Sequence, residues 1–225
     1  TCRPTYGPNN VKIGKALTAV LYKRDENGKP LRMGDIVRMA KSNPSNFSSS
    51  SAVSSNISHV FFGDPALRLA VPEGEVQLLK FNGQQMDMSE IELHAMSMVT
   101  LEGEVRTALG QFDSQFNGEL WVRFFDQKLQ LNVPYDGGTM RVSYHKDLMY
   151  RGKATVCNGK FNFSFQVPKD INPDYGVPRF CFYAYDSIRG VDAMGKFDDL
   201  TLGGVDPAMV SDDQGPIISF YWNSP

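Results

Sequence analysis

Cysteine is scarce in this chain, with only Cys2, Cys157 and Cys181 in 225 residues. An odd count at wide spacing is not a disulfide framework and fits no zinc pattern. A Cys157–Cys181 bridge is one way to pair two of them, and two free thiols is the other. Histidine is equally sparse, at His59, His94 and His145. No excess of positive charge exists: 23 Lys and Arg stand against 25 Asp and Glu, a net charge of −2. The basic footprint of a nucleic-acid binder is therefore absent. No apolar run approaches the about 18–20 residues of a membrane-spanning helix. Thr1 is not followed by a signal-peptide pattern, as expected of a mature product, a proteolytic fragment or a truncated chain.

What the chain does have is apolar content and turn formers. Hydrophobic residues make up 41%, with 20 glycines and 13 prolines. The length suits one large or two modest domains. Ile13, Ala16, Leu17, Val20 and Leu21 recur at helical spacing, and Asn9 or Asn10 is placed to cap that helix. Lys23 and Arg24 favour its C-terminal end, and Asn27-Gly28 marks a turn. Met33, Ile36, Val37 and Ala40 form a second helical stripe with Asp35 near its start. The serine-rich residues 42–58 read as a mobile loop with little to bury. His59, Val60, Phe61 and Phe62 read as a short buried strand.

The segment GDPALRLAVP, residues 63–72, then separates two patterns. Beyond it the period changes to two. Alternation predicts strands near residues 76–81, 99–106, 118–125, 129–133 and 139–144. Asn82-Gly83 supplies a turn, and Asn158-Gly159 is the strongest hairpin signal, expected to pair Val156 with Phe161. Phe161, Phe163, Phe165 and Val167 line one face after it. Residues 179–185, RFCFYAY, are apolar on both faces and fit a central strand. Residues 186–216 read as a Gly- and Asp-rich loop region, and residues 217–222 as one further strand. The fold class expected is mixed: the C-terminal remnant of an α/β layer, then an immunoglobulin-like β-sandwich.

Two stretches carry a family resemblance. KRDENGKPLRMGDIVRMAK (23–41) followed by FFGDPALRLAVP (61–72) resembles the end of the peptidase domain in the gingipain family of cysteine peptidases. GKATVCNGKFNFSFQVPKDI (152–171), DAMGKFDD (192–199) and DDQGPIISFYWN (212–223) resemble the β-sandwich that follows it in the type IX secretion sortase branch of Bacteroidetes. The resemblance implies residues 1–72 as the C-terminal part of a caspase-like peptidase domain. It implies 73–200 as an Ig-like sandwich, and 201–225 as a linker and the start of a further β segment. It implies a secreted cysteine peptidase at the cell surface, associated with the outer membrane, that removes C-terminal signals from cargo proteins. The implied partners are the rest of the peptidase domain, the cargo and other secretion components.

The same resemblance places the catalytic His and Cys upstream of these motifs. No Gly-His-Gly segment is present, and Thr1-Cys2-Arg3 matches a Thr-Thr-Arg segment that follows the nucleophile. No catalytic residue is therefore assigned, and the chain is expected to be inactive alone. A Cys2–His59 pair is the competing assignment; it needs the fold to bring the two together. Cys157 is expected on the solvent face and Cys181 in the core. His94 and His145 stand alone.

Two other chemistries have sequence support. Asp186, Asp192, Asp198, Asp199, Asp206, Asp212 and Asp213 crowd into a short glycine-containing stretch. Hard oxygen ligands on loops suit calcium, though Asp is also an ordinary turn residue. Trp121, Phe124, Phe125, Tyr183, Tyr185, Tyr221 and Trp222 can build a platform for sugar or peptide, although aromatic stripes at strand spacing are more often core. The alternative to a peptidase piece is a non-catalytic cell-surface binding or adhesion module. A calcium-stabilised structural sandwich is the third reading. One physical conflict stands out: two amphipathic helices and one buried-type strand cannot cover their own apolar faces.

Overall fold

A computed structural model describes residues 6–86, 91–135 and 137–206. Helix α1 (Gly7–Leu21) starts two residues before the expected cap. Tyr6 occupies the N-cap without a side-chain bond, and a proline opens the first turn, where its missing N–H costs nothing. Asn9 is not a cap but a buried link: its Nδ2 donates to Ser51 Oγ and Ser55 Oγ. Helix α2 (Met33–Lys41) places Asp35 in its first turn and Arg38 and Lys41 in its last, as the helix dipole favours. Ile36 and Ala40 of α2 pack on Ala16 and Val20 of α1.

The serine-rich segment is not a loop. A single 3-10 turn (Pro44–Phe47) is capped by Asn43, and helix α3 (Ser50–Ser58) is capped by Ser49 Oγ, which accepts from Ala52 N. Apolar periodicity missed α3 because its buried residues are Ala52, Ser55 and Asn56, small or polar side chains that permit close approach. Asn46 and Asn56 donate to the Ala40 and Lys41 carbonyls at the end of α2, supplying the cap its own sequence lacks. Residues 59–62, expected as a buried strand, form no strand, and Phe62 is 83% exposed. No neighbouring strand lies beside them among the described residues.

Twelve strands follow among the described residues: β1 (Gly74–Phe81), β2 (Gln84–Gln85), β3 (Glu92–Ala95), β4 (Met98–Arg106), β5 (Gly118–Phe125), β6 (Leu129–Tyr135), β7 (Gly138–Tyr144), β8 (Leu148–Val156), β9 (Lys160–Gln166), β10 (Arg179–Asp186), β11 (Val191–Phe197) and β12 (Thr201–Val205). The main sheet runs β8-β5-β10-β11-β1-β4-β9, with β2 beside β1. It is mixed, because β1 meets β11 in parallel through only two residue pairs, whereas the other neighbours are antiparallel. At that short seam the sheet folds over. Phe165 of β9 then meets Phe124 and Phe180 at ring distances of 5.8 and 6.0 Å, and Phe161 meets Phe182 at 6.2 Å. Leu120, Val122, Phe124, Phe180 and Ala184 are fully enclosed between the two halves.

The Asn158-Gly159 turn forms as expected, both residues at positive φ (49° and 76°). Its strands do not pair beyond the Cys157–Lys160 bridge. β8 leaves to pair with β5 and β9 to pair with β4, so the turn joins the two edges and the sheet is nearly closed. Val156 and Phe161 are both buried but are not ladder partners. Residues 186–216 were expected as loop, yet they contain β11 and β12. β12 pairs in parallel with β3. The predicted strand at 217–222 lies outside the described residues. Among the described residues β6 and β7 pair only with each other, in a two-stranded arm. Leu129, Leu131, Val133, Met140, Val142 and Tyr144 share one of its faces by register.

Candidate functional site: the outer face of the sheet

Alternation on β5 sends Leu120, Val122 and Phe124 inward and Glu119, Trp121 and Arg123 outward. Antiparallel register then aligns the outward side chains of four adjacent strands into rows. One row reads Lys153, Trp121, Tyr183, Met194. The next reads Arg151, Arg123, Cys181, Lys196, and the row on the other side reads Thr155, Glu119, Tyr185, Asp192. Trp121 and Tyr183 are in tilted contact, 5.7 Å between ring centroids. Lys153 Nζ lies 4.9 Å from the Trp121 ring centroid and 2.9 Å from Glu119 Oε2. The Tyr183 hydroxyl donates to Asp192 Oδ2 at 3.1 Å. Burial, then that bond, raises the Tyr183 phenol above its ordinary value. An open depression of about 400 Å³ is lined by Trp121, Arg123, Cys181, Phe182 and Tyr183.

Of the aromatics named from the sequence, Trp121, Tyr183 and Tyr185 stand on this face and Phe125 is half-buried on the same side. Phe124 is core, and Tyr221 and Trp222 lie outside the described residues. Arg123, Arg151, Lys196 and Met194 were not legible as a group, because only the register brings them together. Cys181 was expected in the core but points outward and is half-buried. Burial pushes its thiol up, a push that Arg179 and Arg123 only partly offset. Cys157 is exposed, as expected, and both thiols are free.

The histidines hold the fold together. His59 contacts the Ser55 carbonyl at the end of α3, His94 the Gly203 carbonyl of β12, and His145 the Asp126 carbonyl, each through Nδ1 at 2.7 to 2.8 Å. Cys2 lies outside the described residues, so a Cys2–His59 pair has no geometry to support it. The candidate calcium ligands are dispersed. Asp186 accepts from three backbone N–H groups, Asp192 from Tyr183 and Glu73 N, and Asp198 from Arg179 and Lys196. Among the described residues no three acidic, His or Cys side chains are grouped to hold a metal. Asp212 and Asp213 are outside that description. No helix among the described residues is long and apolar enough to cross a membrane.

Over the described residues the chain is thus a β-rich unit with an outward aromatic and cationic sheet face and a small helical segment before it. Among solved structures it is similar to dimeric latent PorU from Porphyromonas gingivalis, with 31% identity and a TM-score of 0.60. The match covers 86% of this chain and 18% of that one, so this chain spans less than a fifth of that protein. A second structure, Spo0M, a sporulation control protein from Bacillus subtilis, is 12% identical over 60% of this chain and 51% of its own, at a TM-score of 0.35. No protein-family model and no curated protein sequence matches the chain.

Proposed function

We propose that this chain is a piece of a secreted, gingipain-like cysteine peptidase of the type IX secretion sortase kind, the enzyme that removes C-terminal signals from cargo proteins. The observation that carries the reading is the likeness to PorU at 31% identity over 86% of the chain. In this reading residues 1–72 are the C-terminal part of the caspase-like peptidase domain. Residues 73–200 are the Ig-like sandwich, and 201–225 lead into a further β segment, with β12 tied back to β3. The segment supports the catalytic domain and does not itself hold the catalytic dyad. Its partners are the rest of the peptidase domain, cargo proteins and secretion components, at the outer surface of the cell.

The helical segment supports this reading physically. Its core is small, and Ile57, Val60, Phe62 and Leu67 are exposed. Such side chains call for cover by the remaining peptidase sheet. The test is the intact mass and N-terminal sequence of the protein purified from its source. The expected result is a much longer chain with a Gly-His-Gly segment and a further cysteine before Thr1. A cysteine-directed activity probe should then label the long form and leave the 225-residue chain unlabelled. Labelling of Cys2 that depends on His59 would overturn the inactive-fragment reading. A second reading, a non-catalytic cell-surface binding module, is favoured by the outward face of half-buried Trp121 with exposed Tyr and Arg side chains; a native chain that starts at Thr1 would select it.

A further inference from the structure

We propose that the outer face of β8-β5-β10-β11 is a docking surface for an acidic polypeptide carrying apolar side chains. This stands whether or not the chain is part of a peptidase. The first observation is a charge conflict. Arg123 and Arg151 are direct cross-strand partners, both exposed, and neither side chain has an ion pair or hydrogen bond among the described residues. Like charges in that position destabilise a sheet. Lys196 extends the same row beyond Cys181, and its own contact to Asp198 is a long 3.5 Å. Asp198 is already engaged by Arg179 at 2.8 Å. A chain whose net charge is −2 therefore gathers uncompensated cations along one line of one face. An anionic partner lying across the strands relieves that conflict.

The second observation is the kind of residue beside the cations. Trp121, Tyr183 and Met194 form the row next to the two arginines, while Tyr185 stands one row further out between Glu119 and Asp192. Trp, Tyr, Met and Arg are the types enriched at the centres of protein interfaces, and Trp, Tyr and Arg dominate binding energy there. Met194, 51% exposed, adapts to varied apolar side chains. At Trp121 a stacked sugar ring would compete with Lys153, which sits over the ring, and with Tyr183, which tilts against it. A polypeptide with carboxylates along one edge and apolar groups beside them fits both rows.

The test is fluorescence anisotropy with the 225-residue chain and a fluorescein-labelled peptide of alternating Glu and Phe. The expected result is saturable binding that weakens as salt rises, with the matching Lys–Phe peptide not bound. R123E and R151E should each weaken binding about tenfold or more. Each also sets a carboxylate opposite the remaining arginine, so the melting temperature should hold or rise while affinity falls. W121A should weaken binding without changing its salt dependence. Equal binding of the Lys–Phe peptide, no binding of either, or unchanged affinity in both charge-reversal variants would overturn the proposal. Tighter binding of a heparin-derived oligosaccharide, displacing the Glu–Phe peptide, would overturn it in favour of an anionic sugar.

Discussion

The ring of Phe161 lies on the bare backbone of Gly103, its cross-strand partner between β9 and β4. The pairing lets Phe161 fill the fold between the sheet halves and meet Phe182. A methyl group at Gly103 would collide with the ring and stand 2.5 Å from the Gln77 carbonyl oxygen, which is fixed backbone. G103A should therefore cost about 1–3 kcal/mol or more, as overpacked cores do. Denaturant unfolding measures it. An unchanged midpoint would show that β4 and β1 slide apart more easily than their ladder implies.

Asp186 closes β10 by accepting from the N–H groups of Asn117, Ile188 and Arg189. It is 1% exposed. Burial alone would raise its carboxyl, but the three N–H groups and Arg189 outweigh it and hold the carboxyl below its ordinary value. A depressed carboxylate contributes stability above its unfolded pKa, about 3.9. That contribution is lost as pH falls through the lower folded value. D186N removes the charge and turns an N–H toward another N–H. It should cost about 1–3 kcal/mol at neutral pH. The acid limb of a stability–pH curve should flatten in the variant, and an unaltered limb would refute the assignment.

Gln127 is buried between three carbonyls, those of Asn172, Asp174 and Leu202. Its amide pins the 172–176 segment and β12 to the root of the two-stranded arm. Q127L removes the side-chain donor from all three carbonyls, of which that of Leu202 keeps the Gly176 N–H. Hydrogen exchange should then quicken in β12 and around Gly176, while β5 keeps its protection. Uniform quickening would mean that the sheet depends on Gln127 globally.

Of the three cysteines, Cys157 and Cys181 differ in reactivity. Cys157 is exposed beside the closing turn, and the Cys181 thiol is pushed up by burial. Because the thiolate is the nucleophile, iodoacetamide at pH 7.5 to 8 should modify Cys157 well before Cys181. Peptide mass mapping reads the order, and the reverse order would mean that Arg123 and Arg179 dominate burial at Cys181.

Strands whose alternation is clean were legible in the sequence. β5 forms where alternation places it, with Leu120, Val122 and Phe124 inward, and Phe161 and Phe165 of β9 point inward as expected. β11 was not, because Asp192, Gly195 and Lys196 interrupt any apolar pattern. It is a strand because β10 and β1 flank it, with Ala193 enclosed and Gly195 pressed on the Val76 carbonyl. Asn158-Gly159 fixed the turn but not the pairing, since local chemistry cannot say that β8 and β9 part to opposite edges. The site divides the same way. Trp121, Tyr183 and Tyr185 could be named from alternation and aromatic content. The Arg123–Arg151 conflict exists only once register is known.

Ile36 is the one large side chain fully enclosed in the helical segment among the described residues, held between α1 and α2. The rest of that core is Ala16, Val20, Ala40 and half-buried neighbours. A core this small leaves α1–α3 with little stability of their own. I36A should cost about 2–5 kcal/mol locally, enough to melt the helices at room temperature. Trp121 sits on the sheet, so with W222F in both chains the tryptophan fluorescence should report a transition that scarcely moves, while circular dichroism at 222 nm falls at much lower temperature than in the parent chain. Coincident transitions in the variant would show that the helices and the sheet unfold as one unit. The helical segment would then need no further cover, and the main physical support for a longer native chain would be gone.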